Sequence, residues 1–238
     1  MYGWRARCGL IVPLDNAVIE PELASLQLPG ISFHTARLTT GDRAVMPQQG
    51  MELAPIFHEI GAAAVVYACA ETSFLGGTDA NEVIIERIQQ GAGVPAVTAT
   101  SAMVLALRHL GAVRIALVTP YPAERGRVME EFLGRSGFAV QSSSHRDFHA
   151  GSSDTREWYE TNMQPPSVAY QLVRELNPRG VDAVLISATN FRTFEVIEQL
   201  EADLGLPVVS CNQAILWWLG DALGLSGLPP FGRLGRHR

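Results

Sequence analysis

The sequence has few cysteines and no cysteine pair with the spacing of a metal site. Its three cysteines, Cys8, Cys69 and Cys211, are an odd number in a chain of 238 residues, which argues against a disulfide framework. No Cys-x-x-Cys pair occurs, and among the six histidines only His145 and His149 lie close together, so we expect no metal site. The cysteines are therefore candidates either for packing or for thiol chemistry.

The chain also lacks an excess of positive charge and a long apolar run. Its formal net charge is -6, which argues against nucleic acid as a partner. No apolar run approaches the length of a membrane span, and residues 1–7 contain no apolar segment closed by a cleavage site. We therefore expect a cytoplasmic protein that has no membrane partner.

Short apolar runs alternate with longer amphipathic stretches along most of the chain. This alternation predicts an α/β fold, in which parallel sheets carry helices on both faces. Both faces of the strands are then buried, which agrees with their continuous apolar character. The predicted strands are 8–12, 63–67, 96–98, 114–119, 183–187 and 207–210.

An internal repeat divides the sequence into two similar parts. The segment AAVVYACAETSFLGG (63–77) resembles DAVLISATNFRTFEV (182–196), and GVPAVTATSA (93–102) resembles GLPVVSCNQA (205–214). The repeat predicts two pseudo-symmetric, doubly wound parallel-sheet halves with the active site between them. We expect an N-terminal half at 1–111, a C-terminal half at 112–220 and a tail at 221–238.

The longest segment without a regular pattern is 142–166, which is polar, rich in serine and interrupted by Pro-Pro. A long irregular segment in an α/β protein is either a lid over the site or a surface excursion. The sequence leaves both readings open.

The strongest candidate for chemistry is Cys69, which directly follows a predicted strand. Ligands of α/β sheets bind at the carboxyl ends of the strands, and the repeat places Ala188 opposite Cys69 after the equivalent strand. A thiol at the start of a helix is favoured as a thiolate, which can attack an activated double bond or remove a proton beside a carboxylate. The alternative is that Cys69 is a small buried apolar residue.

Small polar residues surround this pair and end two further strands. Their side chains and backbone amides can hold a carboxylate, although the same residue types also cap helices, form turns and pack at strand ends. The candidate substrate-binding residues are Asn16, Ala70, Thr72, Ser73, Tyr121, Thr189 and Asn190.

These segments resemble the aspartate/glutamate racemase superfamily, specifically its branch of maleate cis-trans isomerases and arylmalonate decarboxylases. The resemblance covers nearly the whole chain and is carried by GLIVPLDNAVIEPEL, VVYACAETSFLGG, ALVTPYPAE, VLISATNFRTFEVI and LPVVSCNQAILWW. It implies that Cys69 is the first of two catalytic cysteines and that Asn16 and Tyr121 bind substrate. It also implies an enzyme that needs no cofactor, acts on a small carboxylate or dicarboxylate, and forms a homodimer or a higher homo-oligomer.

The chain departs from this pattern at Ala188, where the second cysteine of the family is expected. Decarboxylases of the branch keep that cysteine and have glycine in place of the first, so Cys69 favours an isomerase or racemase. A decarboxylase and a non-catalytic binding protein for small dicarboxylates are the alternatives. Ala188 is either natural or an engineered Cys-to-Ala change that disables the site. The intact flanking residues favour the engineered change.

Overall fold

The structure, a computed structural model, describes residues 1–229 and 232–236 and contains two parallel sheets of four strands each. The first sheet consists of β1 (Ala6–Val12), β2 (Ile31–Arg37), β3 (Ala64–Tyr67) and β4 (Ala96–Thr98). The second consists of β5 (Arg114–Thr119), β6 (Ala139–His145), β7 (Ala183–Ile186) and β8 (Val208–Ser210). The strand orders are β2-β1-β3-β4 and β6-β5-β7-β8, so the second sheet repeats the topology of the first.

Helices flank both sheets. In the first half they are α1 (Ile19–Ala24), α2 (Met46–Leu53), α3 (Pro55–Glu59), α4 (Ala70–Leu75), α5 (Gly77–Ala92) and α6 (Ala99–His109). In the second half they are α7 (Ala123–Arg135), α8 (Tyr159–Asn162), α9 (Pro166–Leu176), α10 (Ile197–Leu204) and α11 (Cys211–Ala222), with a 3-10 turn at Phe194–Val196. A final helix, α12 (Gly232–Arg236), packs against α10 and β8. This arrangement confirms the predicted α/β fold of two similar parallel-sheet halves.

The halves share a hydrophobic core. One continuous cluster of buried side chains contains Leu10 and Val66 of the first sheet together with Leu185 of the second. Helices α6 and α11, which the repeat pairs, pack against each other. Their first turns are capped in the same way, because Thr98 and Ser210 each accept a backbone N–H with the side-chain hydroxyl. The division of the chain at residues 111 and 112 stays a prediction.

Two strands were missed by the sequence patterns. Strands β2 and β6 lie at the edges of their sheets and are only partly buried, with the sequences ISFHTAR and AVQSSSH. Their side chains are partly exposed, which admits polar residues and interrupts the apolar run, whereas β4 and β8 at the opposite edges are fully buried and were predicted. The expected irregular segment 142–166 is therefore wrong at its start, because residues 142–145 belong to β6.

Among the described residues, no helix is both long enough and apolar enough to cross a membrane. The predicted tail at 221–238 contains the helix α12, in which Leu234 is fully buried. Residues 230, 231, 237 and 238 of that tail lie outside the described residues.

Candidate active site

A cavity of about 210 Å³ lies between the two halves, at the carboxyl ends of β1, β3, β5 and β7. Six of the predicted site residues line it: Asn16, Cys69, Ala70, Tyr121, Thr189 and Asn190. Three predicted residues, Thr72, Ser73 and Ala188, lie behind its wall. The strand ends that the repeat singles out are therefore brought together in one place.

Cys69 ends the strand–helix turn between β3 and α4. It is the N-cap residue of α4 in an extended conformation, and only 6% of its surface is exposed. Burial raises the pKa of the Cys69 thiol to about 11, although hydrogen bonds from the Thr72 hydroxyl and backbone N–H favour the thiolate. The expected activation by the helix start is thus present, but burial outweighs it, and the thiol is protonated at neutral pH.

The two hydroxyl residues after Ala70 have separate roles. The Thr72 hydroxyl lies 2.7 Å from the hydroxyl of Tyr67 and contacts the thiol of Cys69, so it acts on that thiol and does not line the cavity. The Ser73 hydroxyl lies 2.8 Å from the backbone oxygen of Ala70 and 2.7 Å from Thr100 Oγ1. These contacts satisfy the Ser73 hydroxyl inside the first half, and Ser73 does not line the cavity.

Ala188 occupies a strained position in the loop after β7. Its φ angle is 100°, which residues with a side chain rarely adopt, and its backbone N–H is hydrogen bonded to the thiol of Cys211. Burial raises the pKa of that thiol, so Cys211 is neutral. The following residues form a turn rather than a helix, so the second loop has no helix start equivalent to that of α4.

Polar contacts fasten the second loop to the first half. The Asn16 side chain donates to Thr189 Oγ1 and accepts the backbone N–H groups of Val18 and Ile19, which begin α1. Thr189 donates in turn to the backbone oxygen of Ala68, beside Cys69. Asn16 and Thr189 therefore join the loop after β7 to the loops after β1 and β3 through hydrogen bonds.

A buried carboxylate supports the same loop from behind. Glu22 on α1 accepts the backbone N–H groups of Thr193 and Phe194 at 2.7 and 2.9 Å, and the Asn212 side chain at 2.6 Å. Asn212 also donates to the backbone oxygen of Thr189 at 3.0 Å. Burial raises the pKa of Glu22, against the effect of these three donors.

Tyr121 lies on the side of the cavity formed by the second half. Its ring packs in a tilted contact with Phe74 and an edge-to-face contact with Trp158, with ring centroids 5.7 and 5.8 Å apart, and its hydroxyl lies 3.5 Å from Ser187 Oγ. Burial raises the pKa of the hydroxyl well above its ordinary value, so Tyr121 is a neutral hydrogen-bond donor in the wall.

The sequence patterns missed the charged side of the cavity. Asp15, Arg43, Glu71 and Glu157 all line it, together with Met46 and the ring of Trp158. Asp15 directly precedes Asn16, and Glu71 lies between Ala70 and Thr72, so their positions in the sequence could have indicated them. Arg43 follows the missed strand β2 and had no such signal.

The segment 146–165 lies over this charged side. Glu157 and Trp158 line the cavity, and Asn162 bonds to the first half through the backbone oxygen of Asp15 at 2.8 Å and the N–H of Ala17 at 3.2 Å. Of the two alternatives for this segment, a lid over the site or a surface excursion, its position favours the lid.

The chain is similar to known enzymes over most of its length. It matches the profile of the arylmalonate decarboxylase family over residues 8–233. It is 28% identical to a maleate isomerase of Nocardia farcinica, covering 97% of this chain and 96% of the relative. It is 25% identical to an arylmalonate decarboxylase of Bordetella bronchiseptica, covering 94% of this chain and 91% of the relative.

A solved structure shares the fold over almost the full length. A cysteine mutant of the Nocardia farcinica maleate cis-trans isomerase, with a covalently bound succinylcysteine intermediate, superposes with a TM-score of 0.87 at 25% identity. The alignment covers 98% of this chain and 99% of that one. The expected resemblance is confirmed, and the chain belongs to the arylmalonate decarboxylase family of enzymes, with maleate isomerases among its relatives.

Proposed function

We propose that this chain is a Cys69-dependent isomerase of small unsaturated carboxylates, related in mechanism to maleate cis-trans isomerases, whose turnover is limited by Ala188. The observation that carries the proposal is the pairing of a cavity-lining thiol with a strained backbone at the position opposite it in the repeat. Strain of this kind persists where a loop geometry serves a site.

The proposed reaction begins when the Cys69 thiol gives its proton to solvent water and its sulfur attacks one alkene carbon. A carbon–sulfur bond forms, and the π electrons move to the neighbouring carbon, where the adjacent carboxylate stabilises them. The former double bond is then a single bond and can rotate. Expulsion of the thiolate re-forms the double bond in the other geometry. The covalent succinylcysteine reported for the Nocardia farcinica mutant supports a thiol adduct of this type.

The cavity supplies contacts for a carboxylate near the thiol. Asn16 has a second amide hydrogen beyond the one given to Thr189, and Tyr121 offers a neutral hydroxyl. Asn190 adds a further amide at the cavity wall. We propose these three side chains as the carboxylate-binding residues.

Ala188 offers no group that can move a proton. In a site with two thiols, the second would protonate the carbanion or accept the proton of the first, and the same pair would act as acid and base in a racemase. Loss of a positioned acid or base lowers the rate by about 10²–10⁴-fold. An origin of Ala188 by replacement of a cysteine stays a prediction.

The test is the Ala188→Cys variant, assayed with maleate, its half-amide, an amino acid, a hydantoin and an arylmalonate. We expect isomerisation to rise by about 10²–10⁴-fold over the parent chain. The control Ala188→Ser has nearly the same size without a thiol, and Cys69→Ser combined with Ala188→Cys should be inactive. If Ala188→Cys gains nothing over Ala188→Ser with any substrate, the proposal fails.

Two other functions are tested by the same panel. A decarboxylase is favoured by the arylmalonate decarboxylase relative and predicts release of carbon dioxide from the arylmalonate. A binding protein is favoured by the protonated state of Cys69, and it predicts ligand binding without turnover in every variant.

A further inference from the structure

Four charged side chains form a closed ring at the charged side of the cavity. Arg43 donates to Glu71 at 2.7 Å and to Glu157 at 2.6 Å. Arg125 lies 3.1 Å from Glu71 and 2.7 Å from Glu157, so each carboxylate contacts both arginines. The four residues come from four separate parts of the chain, and no charge of the ring is left without an opposite partner.

Glu157 closes this ring from the segment that covers the cavity. Burial acts to raise the pKa of Glu157, but the hydrogen bonds and charges of Arg43 and Arg125 outweigh it and lower the pKa below its ordinary value. Glu157 is therefore ionised at neutral pH, and its carboxylate occupies the guanidinium edges that would otherwise be open to a ligand.

Asp15 is a further acidic residue that lines the cavity outside the ring. With it, two arginines and three carboxyl groups stand around the cavity, and both arginines are paired within the ring. Burial raises the pKa of Asp15 and of Glu71, so Glu157 is the carboxyl group of the three whose pKa is lowered. Among the described residues that line the cavity, Arg43 is the one cation. A second carboxylate of a ligand bound beside Cys69 would thus meet the carboxyl groups of Asp15 and Glu157 and an arginine whose Nε and Nη2 are already bonded within the ring.

An uncharged end meets a different set of contacts. The carboxylates of Asp15 and Glu157 are hydrogen-bond acceptors, so an amide or hydroxyl can donate to them. The indole of Trp158 and the side chain of Met46 supply apolar contact on the same side. The wall therefore discriminates between ligands by the charge of the end that is distant from the thiol.

We propose that Glu157 is a specificity-determining residue that makes this site select acids with one carboxylate and an uncharged polar distal end, such as half-amides, over dicarboxylates. This inference rests on the proposed function, because it places the reacting carboxylate beside Cys69. The proposed preference differs from that of the maleate isomerase relatives, which are named for a dicarboxylate substrate.

The experiment measures how well succinate and succinamate protect Cys69 from alkylation by iodoacetamide. These two compounds differ by one charge, and a thiol cannot add to either. The labelled cysteine is identified by peptide mass, and the reaction is followed at pH 9, where a small fraction of the thiol is ionised. The ratio of the two half-protecting concentrations is compared within each protein, so changes in thiol reactivity cancel.

In the parent chain we expect succinamate to protect at a concentration about 10-fold or more below that of succinate. Glu157→Gln keeps the shape but frees a guanidinium charge, and it should shift the ratio toward succinate by about 10-fold or more. The matched control is Glu160→Gln, which removes one charge from the same segment. Glu160 accepts from Ser152 and lies outside the ring, so its ratio should stay that of the parent.

The comparison in the parent chain needs no variant, so the proposal does not depend on the folding of one. The specificity proposal is overturned if succinate protects the parent chain as well as succinamate does, or if Glu157→Gln and Glu160→Gln give the same ratio. If the Ala188→Cys variant turns over while succinate protects better, only the specificity proposal fails. If neither compound protects Cys69, both the specificity proposal and the proposed function fail.

Discussion

The side-chain amide of Asn16 in the first half donates to the hydroxyl of Thr189 in the second half at 2.8 Å. That hydroxyl donates to the backbone oxygen of Ala68 at 3.0 Å, one residue before the thiol. The two residues are 173 positions apart in the chain, yet together they join the two loops that the repeat relates. The distance between Cys69 and the opposite loop is therefore set by a buried contact.

The first prediction concerns the energy of this contact. We expect Asn16→Ala and Thr189→Val to be coupled by about 1 kcal/mol in the free energy of unfolding, because both groups are buried and each variant leaves the other without its partner. Urea unfolding of the two single variants and the double variant measures the coupling. A control cycle pairs Asn16→Ala with Ser73→Ala, whose hydroxyl bonds elsewhere, and should be additive. Additivity in the first cycle would contradict the assignment.

The second prediction concerns the ionisation of Cys69. Its pKa is raised by burial from 9.0 to about 11, so alkylation should be slow at pH 7 and should accelerate about 10-fold per pH unit up to that value. Thr72→Val removes a hydrogen bond that favours the thiolate, so it should raise the pKa and slow the labelling. Ser73→Ala changes the next hydroxyl, which bonds elsewhere, and should label like the parent chain. A labelling rate that levels off near pH 8 in the parent would refute this picture.

The third prediction concerns Glu22, the buried carboxylate behind the second loop. Its pKa is raised by burial, so the folded chain holds a proton that the unfolded chain releases at lower pH. The contribution of Glu22 to the free energy of unfolding is therefore greatest below its ordinary value of 4.5 and declines as the pH rises through the raised pKa. Glu22→Gln should remove that part of the pH dependence in urea unfolding.

Truncation of the same residue should have a larger effect. Glu22→Ala removes the shared acceptor of three N–H donors, two of them buried, which we expect to destabilise the chain by about 3 kcal/mol or more. The control is Glu20→Gln on the same helix, where the carboxylate is partly exposed and pairs with Arg37, so the change should stay within about 1 kcal/mol. Equal effects of Glu22→Ala and Glu20→Gln would show that Glu22 does not hold the loop.

The fourth prediction concerns the segment 146–165 that covers the cavity. Asn162→Ala removes both polar contacts of Asn162 with the first half, so local opening should increase and trypsin should cleave at Arg146 or Arg156 about 10-fold faster. Gln164→Ala is the matched control, because Gln164 donates to the backbone oxygen of Glu160 within the segment. Cleavage at the same rate in both variants would argue against Asn162 as the attachment of the cover.

The fold was predictable where burial is continuous. Strands β4 and β5 begin and end at the residues that the apolar runs predicted, because every side chain of β4 and all but the first of β5 are buried. The edge strands β2 and β6 were missed since their half-exposed faces admit His34 and a run of serines. The amphipathic stretch at 193–204 begins as a 3-10 turn before α10, where Glu22 on α1 accepts the backbone N–H groups of Thr193 and Phe194.

The repeat in the sequence by itself determined the pairing of Cys69 with Ala188 and the position of the site between two similar halves. Equivalent segments fold into equivalent strand–loop units, and parallel strands end at the same edge of a sheet. The tertiary structure alone decided the ionisation of Cys69 and the ring that places Glu157 against Arg43 and Arg125. A pKa depends on burial and on the charges nearby in space, and residues far apart in sequence set both. For that reason the thiol was recognisable in the sequence, whereas the charge of the ligand that its cavity selects was not.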